Sequence, residues 1–170
     1  MVQDLAAMGK IKAGSEVAFG RIAMGVAAKA GSRSFDISSM EAFEHALKSA
    51  RSIAYAADGT SGGYFSDLLE RLGIADEVTP GLVGISGGQT ALAVARGEAE
   101  LAVVPVTSIL AAAPDVMLLG RFPAELQSYI DFAIGISADP RDTEAAKQLS
   151  EFLMSADVDG TLAAKGVERH

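Results

Sequence analysis

The chain has 170 residues, 49% of them hydrophobic, enough for one ordinary domain or two small packed lobes, which excludes a disordered chain. Its 14 Lys and Arg stand against 22 Asp and Glu, a formal net charge of −8, so nucleic acid and acidic membrane surfaces are poor partners. Cysteine is absent, which removes disulfides, thiolate metal sites and cysteine nucleophiles together.

The first residues, MVQDLAAMGK, carry an early Asp4 and neither a basic n-region nor a long apolar run, so no signal peptide is expected in the chain as written. GRIAMGVAAKAG then alternates Ile22, Met24 and Val26 and stops at Gly31, the pattern of a mostly buried strand. In DISSMEAFEHALKSA, Ser38 stands three residues before Glu41, a capping-box spacing, and Met40, Phe43, Ala46 and Leu47 fall on one face of an amphipathic helix. SIAYAAD has strand length. After a GTSGG loop, YFSDLLERLG sets Tyr64, Leu68, Leu69 and Leu72 at helical spacing, with Gly73 as the stop.

The same grammar recurs. GLVGIS is strand-like and broken by Gly87 and Gly88, QTALAVARG is helical to Gly97, and ELAVVPV is a buried strand. The apolar stretch from Leu101 to Pro114 is interrupted by Pro105, Thr107 and Ser108 and falls short of the roughly 20 residues of a spanning helix. A Pro-containing connection leads to the strand SYIDFAIGIS. The tail, DPRDTEAAKQLSEFLMS and DVDGTLAAKG, gives two helices, the second capped by Asp157 and ended by Gly166. Alternating strands and helices predict an α/β protein, a parallel or mixed sheet with helices on both faces.

Two glycine-rich segments join a strand end to a helix start, Gly59 to Gly63 and Gly84 to Gly88, and both fit G-x-S-x-G. As nucleophile elbows they would make Ser61 or Ser86 reactive, with an acid and then a histidine downstream. The histidine supply argues against this, since His45 lies upstream within a helix and His170 is the terminal residue. Neither segment has the G-K-[ST] ending of a P-loop or the G-x-G-x-x-G of a dinucleotide site, so no nucleotide and no cofactor is expected. His45 has no second ligand at metal spacing, so no metal is expected either. The remaining reading is that backbone N–H groups, hydroxyls and a helix N-terminus at Thr60, Ser61 and Gly62 hold an oxyanion without a charged side chain. The alternative is that glycine and serine merely make tight turns.

In its order, ARSIAYAADGTSGGYFSDLLERLGIADEV, TALAVARGEAELAVVPVTSIL, GRFPAELQSYIDFAIGIS and EAAKQLSEFLMSADVDGTLAAKG, the chain resembles the periplasmic molybdate-binding, type 2 solute-binding proteins of ABC transporters, from about Gly9 to the C-terminus. The resemblance implies a two-lobed α/β protein that closes over a small anion and delivers it to an ABC transporter permease, in the periplasm or outside the cell. It implies ligand contacts at Thr60, Ser61 and Gly62, near Val104, and at Tyr129. Pro105 stands where a polar or aromatic residue is common in that family. By the same comparison residues 32–112 form the second lobe, residues 1–31 with 113–170 form a partial first lobe, and about a third of a family member, the early part of lobe one, is missing. Sheet edges left open by that gap would favour homo-oligomers. Some relatives on this fold are isomerases of small tricarboxylates; in an isomerase, Asp58 or a nearby carboxylate would take and return the proton.

Overall fold

The computed structural model describes residues 2–86 and 88–170; Gly87, expected in the break after the third strand, lies outside the described residues. The chain forms two compact units, Met1–Ile22 with Ile130–His170, and Ala23–Tyr129. The segment 32–112 lies wholly within the second of these.

The Ala23–Tyr129 unit is built on strands β1 (Val17–Lys29, from residue 23 onward), β2 (Ile53–Ala56), β3 (Leu82–Ile85), β4 (Leu101–Pro105) and β5 (Val116–Arg121), in the order β3-β2-β4-β1-β5. β2 runs parallel to β3 and β4, whereas β1 is antiparallel to β4 and β5, so this is an open mixed sheet. Residues 22–28 of β1 are buried throughout, which suits a strand with a neighbour on each side and helices over both faces.

Helices α2 (Met40–Ser49), α3 (Thr60–Arg71), α4 (Ala75–Val78), α5 (Thr90–Ala95) and α6 (Val106–Ala111) surround it. Tyr55 of β2 faces Phe65 of α3, with ring centroids 6.4 Å apart. Its neighbour Ala54 joins Ala91, Ala93 and Val94 of α5 in the opposite core. Because successive strand residues point to opposite faces, α3 and α5 cover opposite sides of β2, as the alternation predicts. Segment 106–121, read from sequence as a connection, instead holds α6 and β5.

The start of α2 differs in detail from the capping-box expectation. Ser39, not Ser38, is the N-cap: its Oγ accepts from the Ala42 N–H at 3.1 Å and donates to the Glu41 carboxylate at 3.0 Å. The Ser38 N–H instead donates to Asp36 at 2.9 Å. Phe43, Ala46 and Leu47 are buried, while Met40, the first residue of the helix, is 39% exposed. Hydrogen bonds from the Ser38 side chain and N–H hold Asp36 below the usual carboxylate range, and its own N–H and Ser39 do the same for Glu41. Both groups therefore favour the folded state above the ordinary carboxylate pKa, and this contribution is lost as the pH falls through their lowered folded values. Ser39→Ala should lower stability by about 1 kcal/mol in urea unfolding at neutral pH, and Ser38→Ala by no more than about 0.5 kcal/mol. The reverse ranking would restore Ser38 as the cap.

The other unit comprises α1 (Val2–Ala7), the first part of β1, β6 (Tyr129–Ile134, from residue 130 onward), α7 (Thr143–Met154), α8 (Asp159–Ala164) and β7 (Val167–Glu168). β6 and β7 both pair with β1, the latter through Arg21↔Glu168 and Ile22↔Val167. Gly20 lets this pair close, since a Cβ there would come within 2.5 Å of the Glu168 carbonyl oxygen. Asp142 caps α7 by accepting from the Glu144 and Ala145 N–H groups, each at 3.0 Å. Asp157 does not cap the last helix; it lies in a 3-10 turn, Ala156–Val158, and α8 begins after it at Asp159. Gly166 does close the helix, with φ of 82°. Among the described residues no helix is long and apolar enough to cross a membrane.

Candidate functional site

Register places the ends of four strands on one edge of the Ala23–Tyr129 sheet. Ala56 lies beside Ile85, Tyr55 beside Val103, Met24 beside Pro105 and Gly25 beside Arg121. β3, β2, β4 and β5 therefore all finish on that edge, and the chain leaves β2 toward β3 and returns from β3 across β2 to β4. Ligands of open α/β sheets gather outside the carboxyl ends of strands at such a change of direction.

The first element beyond the edge is α3. GTSGG is not a free loop: Gly59 is the N-cap, and Thr60, Ser61, Gly62 and Gly63 form the first helical turn. The N–H groups of Gly62 and Gly63 donate to the Gly59 carbonyl at 3.0 and 3.2 Å. Gly59 has no side chain to cap the end, so the N–H groups of Thr60 and Ser61 have no intrahelical acceptor and no side-chain cap. Thr60 is exposed and Ser61 half-buried, which puts two hydroxyls beside an open helix N-terminus carrying a partial positive charge.

Gly62 explains how the turn comes so near the strand. It is buried, and a Cβ built on it would overlap the carbonyl oxygen of Ala56, the last residue of β2. Ala57, Asp58 and Gly59 then suffice to connect strand and helix, with the Ala57 N–H tied to the Ile85 carbonyl at 3.1 Å. Farther along α3, the Tyr64 hydroxyl donates to the Leu126 carbonyl at 2.6 Å, joining the helix to the segment that precedes Tyr129.

The other sequence candidates are placed differently. Val104 stands on β4 next to the edge, but its side chain is 2% exposed and packs in the α5 core, so what it can turn toward a ligand is main chain. Tyr129 is 36% exposed and follows Ser128, whose carbonyl accepts from the Met24 N–H at 3.1 Å. Met24 faces Pro105 on its other side, so Tyr129 stands across β1 from β4. Asp58 is exposed just before α3. Ser86 is exposed beyond β3, His45 is exposed on α2, and His170 lies 3.6 Å from Asp131 in the other unit. Among the described residues no three His, Asp or Glu side chains gather as metal ligands.

Arg121 escaped the sequence reading. It ends β5 and is exposed on the same edge as α3, three strand spacings or about 14 Å across the sheet from Ala56. The signal was the short apolar run VMLLGR, whose last residue would have been placed here had it been taken as a strand. Together the edge offers backbone N–H groups, two hydroxyls and a guanidinium, a donor set suited to a small oxyanion or carboxylate.

Comparison with known proteins bears on this arrangement. The family described as bacterial extracellular solute-binding protein matches residues 1–168. A curated relative from Pseudomonas sp, named aconitate isomerase, is 31% identical over 168 residues, which are 98% of this chain and 62% of that protein. The chain thus spans less than two thirds of that relative's length. Among solved structures, the periplasmic molybdate-binding protein of Azotobacter vinelandii superposes with a TM-score of 0.73 at 20% identity, covering 98% of this chain and 73% of that one. Peb3 of Campylobacter jejuni gives 0.71 at 12% identity, covering 95% and 71%. At these identities the structural likeness establishes the fold.

Proposed function

Because the chain belongs to the bacterial extracellular solute-binding protein family, we propose that it binds a small oxyanion or carboxylate at the carboxyl edge of the Ala23–Tyr129 sheet. The observation that carries this reading is the open N-terminus of α3, set against the end of β2 and flanked by the Thr60 and Ser61 hydroxyls. In this reading Thr60, Ser61 and Gly62 supply the primary contacts, Val104 contributes through its main chain, Tyr129 offers its hydroxyl from the far side of β1, and Arg121 adds charge. Residues 32–112 act as the second lobe, and residues 1–31 with 113–170 as part of the first. Delivery to an ABC transporter permease, outside the cytoplasm, completes the role. The molybdate-binding structural neighbour supports an oxyanion, and the relative named aconitate isomerase supports a polycarboxylate.

That relative also favours a second reading, isomerisation of a small tricarboxylate, in which a base removes a proton from the methylene beside the double bond and the conjugate acid returns it at the other end of the allylic anion, two carbons away, so that the double bond moves. In this reading Asp58, exposed just before α3, or a nearby carboxylate takes and returns the proton.

A thermal-shift panel of molybdate, tungstate, sulfate, phosphate, citrate and aconitate tests the binding reading, since a ligand that binds only the folded state raises its melting temperature. Ser61→Ala should weaken the best ligand roughly tenfold or more, the effect of one lost hydrogen bond to a charged group, and Arg121→Ala should weaken it by less, since Arg121 acts only through its charge across the sheet. A panel with no response, or a Ser61→Ala protein with unchanged affinity, would remove the site. Following aconitate by NMR separates the two readings: turnover that Asp58→Asn abolishes while binding persists would establish the enzyme.

A further inference from the structure

At the opposite edge of the same sheet, where β1 ends and β2 and β4 begin, lies a concavity of about 430 Å³. Its wall includes Lys29, Arg33 and Arg51, the hydroxyls of Ser32 and Ser52, and one carboxylate, Glu100. In a chain of net charge −8 these three cations against one carboxylate leave a local excess of positive charge, and a concave surface with such an excess concentrates the opposite ion. We propose that this concavity is a second anion site, for a small multivalent oxyanion such as a phosphate ester or polycarboxylate. It is independent of the edge at α3.

The charges are disposed to leave donors over. The Glu100 side chain is only 14% exposed, and its Oε2 accepts from the Arg51 N–H at 2.8 Å and the Arg51 Nε at 3.5 Å, while its own N–H donates to Ser52 Oγ at 3.1 Å. Arg51 is 86% exposed and meets Glu100 through Nε, so its two terminal nitrogens remain to fork onto an oxyanion. Arg33, on the rim of the concavity, has its guanidinium carbon 4.4 Å from the centroid of the Phe35 ring, and its hydrogen bond to Ser49 Oγ is long at 3.5 Å, so the side chain is only loosely held where it stands. Lys29 and Ser32 are tied by a turn in which the Ser32 N–H donates to the Lys29 carbonyl at 3.1 Å, with Gly31 at φ 74° between them. This turn carries the Lys29 ammonium and the Ser32 hydroxyl to the same wall. The Ser52 hydroxyl, accepting from Glu100, keeps its own hydrogen to donate.

Titration of the whole chain with pyrophosphate and with citrate, followed by amide chemical shifts and calorimetry at constant ionic strength, tests the proposal. One of the two probes should bind and move the Ser32, Ser52 and Gly97 amides, and which one does so assigns phosphate or carboxylate chemistry. Arg51→Ala and Arg33→Ala should each weaken it roughly tenfold, Arg51→Lys should restore part of the loss, and Ser61→Ala should leave it unchanged. Equal shifts with chloride, shifts that survive Arg51→Ala, or no response to either probe would overturn it. A response confined to the amides of Thr60 and Ser61 would overturn it too, while leaving the α3 reading intact.

Discussion

Replacing Gly62 with alanine is expected to destabilise the protein by about 3 kcal/mol, at the upper end of what an added methyl causes in a packed interior. The methyl would have to occupy the space of the Ala56 carbonyl oxygen, and a backbone atom cannot swing aside as a side chain can. Gly63→Ala is the internal control, because a Cβ there meets nothing within 4 Å; it should be neutral or add up to about 1 kcal/mol through better helix propensity. Chemical denaturation of the pair reads the difference. The folded fraction of the Gly62→Ala protein should also lose ligand affinity, since relief of the overlap moves the first turn of α3, and Thr60 and Ser61 with it. Equal stabilities for the two variants would mean that α3 does not begin against the end of β2.

Phe65→Ala should have a still larger effect on folding, about 3 to 5 kcal/mol. Its side chain is wholly buried and packs at a tilt of 51° against Tyr55, so truncation both removes transfer energy and leaves a cavity between α3 and β2. Set against the roughly 5 to 15 kcal/mol that stabilises a typical domain, this approaches the whole margin. Phe65→Leu should lose about 1.5 kcal/mol, and Phe152→Ala, at a side chain 54% exposed, well under about 1 kcal/mol. A thermal or urea midpoint for Phe65→Ala within the range of Phe152→Ala would show that α3 is not anchored through this ring.

The sheet was legible wherever apolar periodicity was long or was bounded by glycine. β1, β2, β3 and β4 follow IAMGVAA, IAYA, LVGI and LAVVP, and Gly73, Gly97 and Gly166, all with positive φ, end helices as expected. The same glycine logic misled at GTSGG, where low helix propensity suggested a loop. The helix extends through Gly62 and Gly63 because packing against β2 outweighs propensity, and Gly62 is required for that packing. Segment 106–121 was opaque for a different reason. Pro105 opens α6 instead of interrupting a strand, and β5 is only half-buried along most of its length, so VMLLGR shows neither alternation nor a uniformly buried run. Losing β5 concealed Arg121, and with it the charge on the candidate edge. The basic concavity could not be read either, because Lys29, Arg33 and Arg51 are brought together by β1 and β2 meeting through β4, a pairing that local sequence does not reveal.

The place of β1 between β4 and β5 has a kinetic side. Met24 to Ala28 find their partners at Leu101 to Pro105 and near Val116 to Arg121, so more than seventy residues must be gathered before the strand is covered. Such non-local pairing is slow to form, and until it does IAMGVAA is an uncharged, proline-free apolar segment able to pair with another chain. Arg21 and Lys29 bracket that segment. Like charges at both ends of a sticky strand repel their counterparts on a second unfinished molecule, so these two side chains act as gatekeepers during refolding, apart from any contact they make once the sheet is complete.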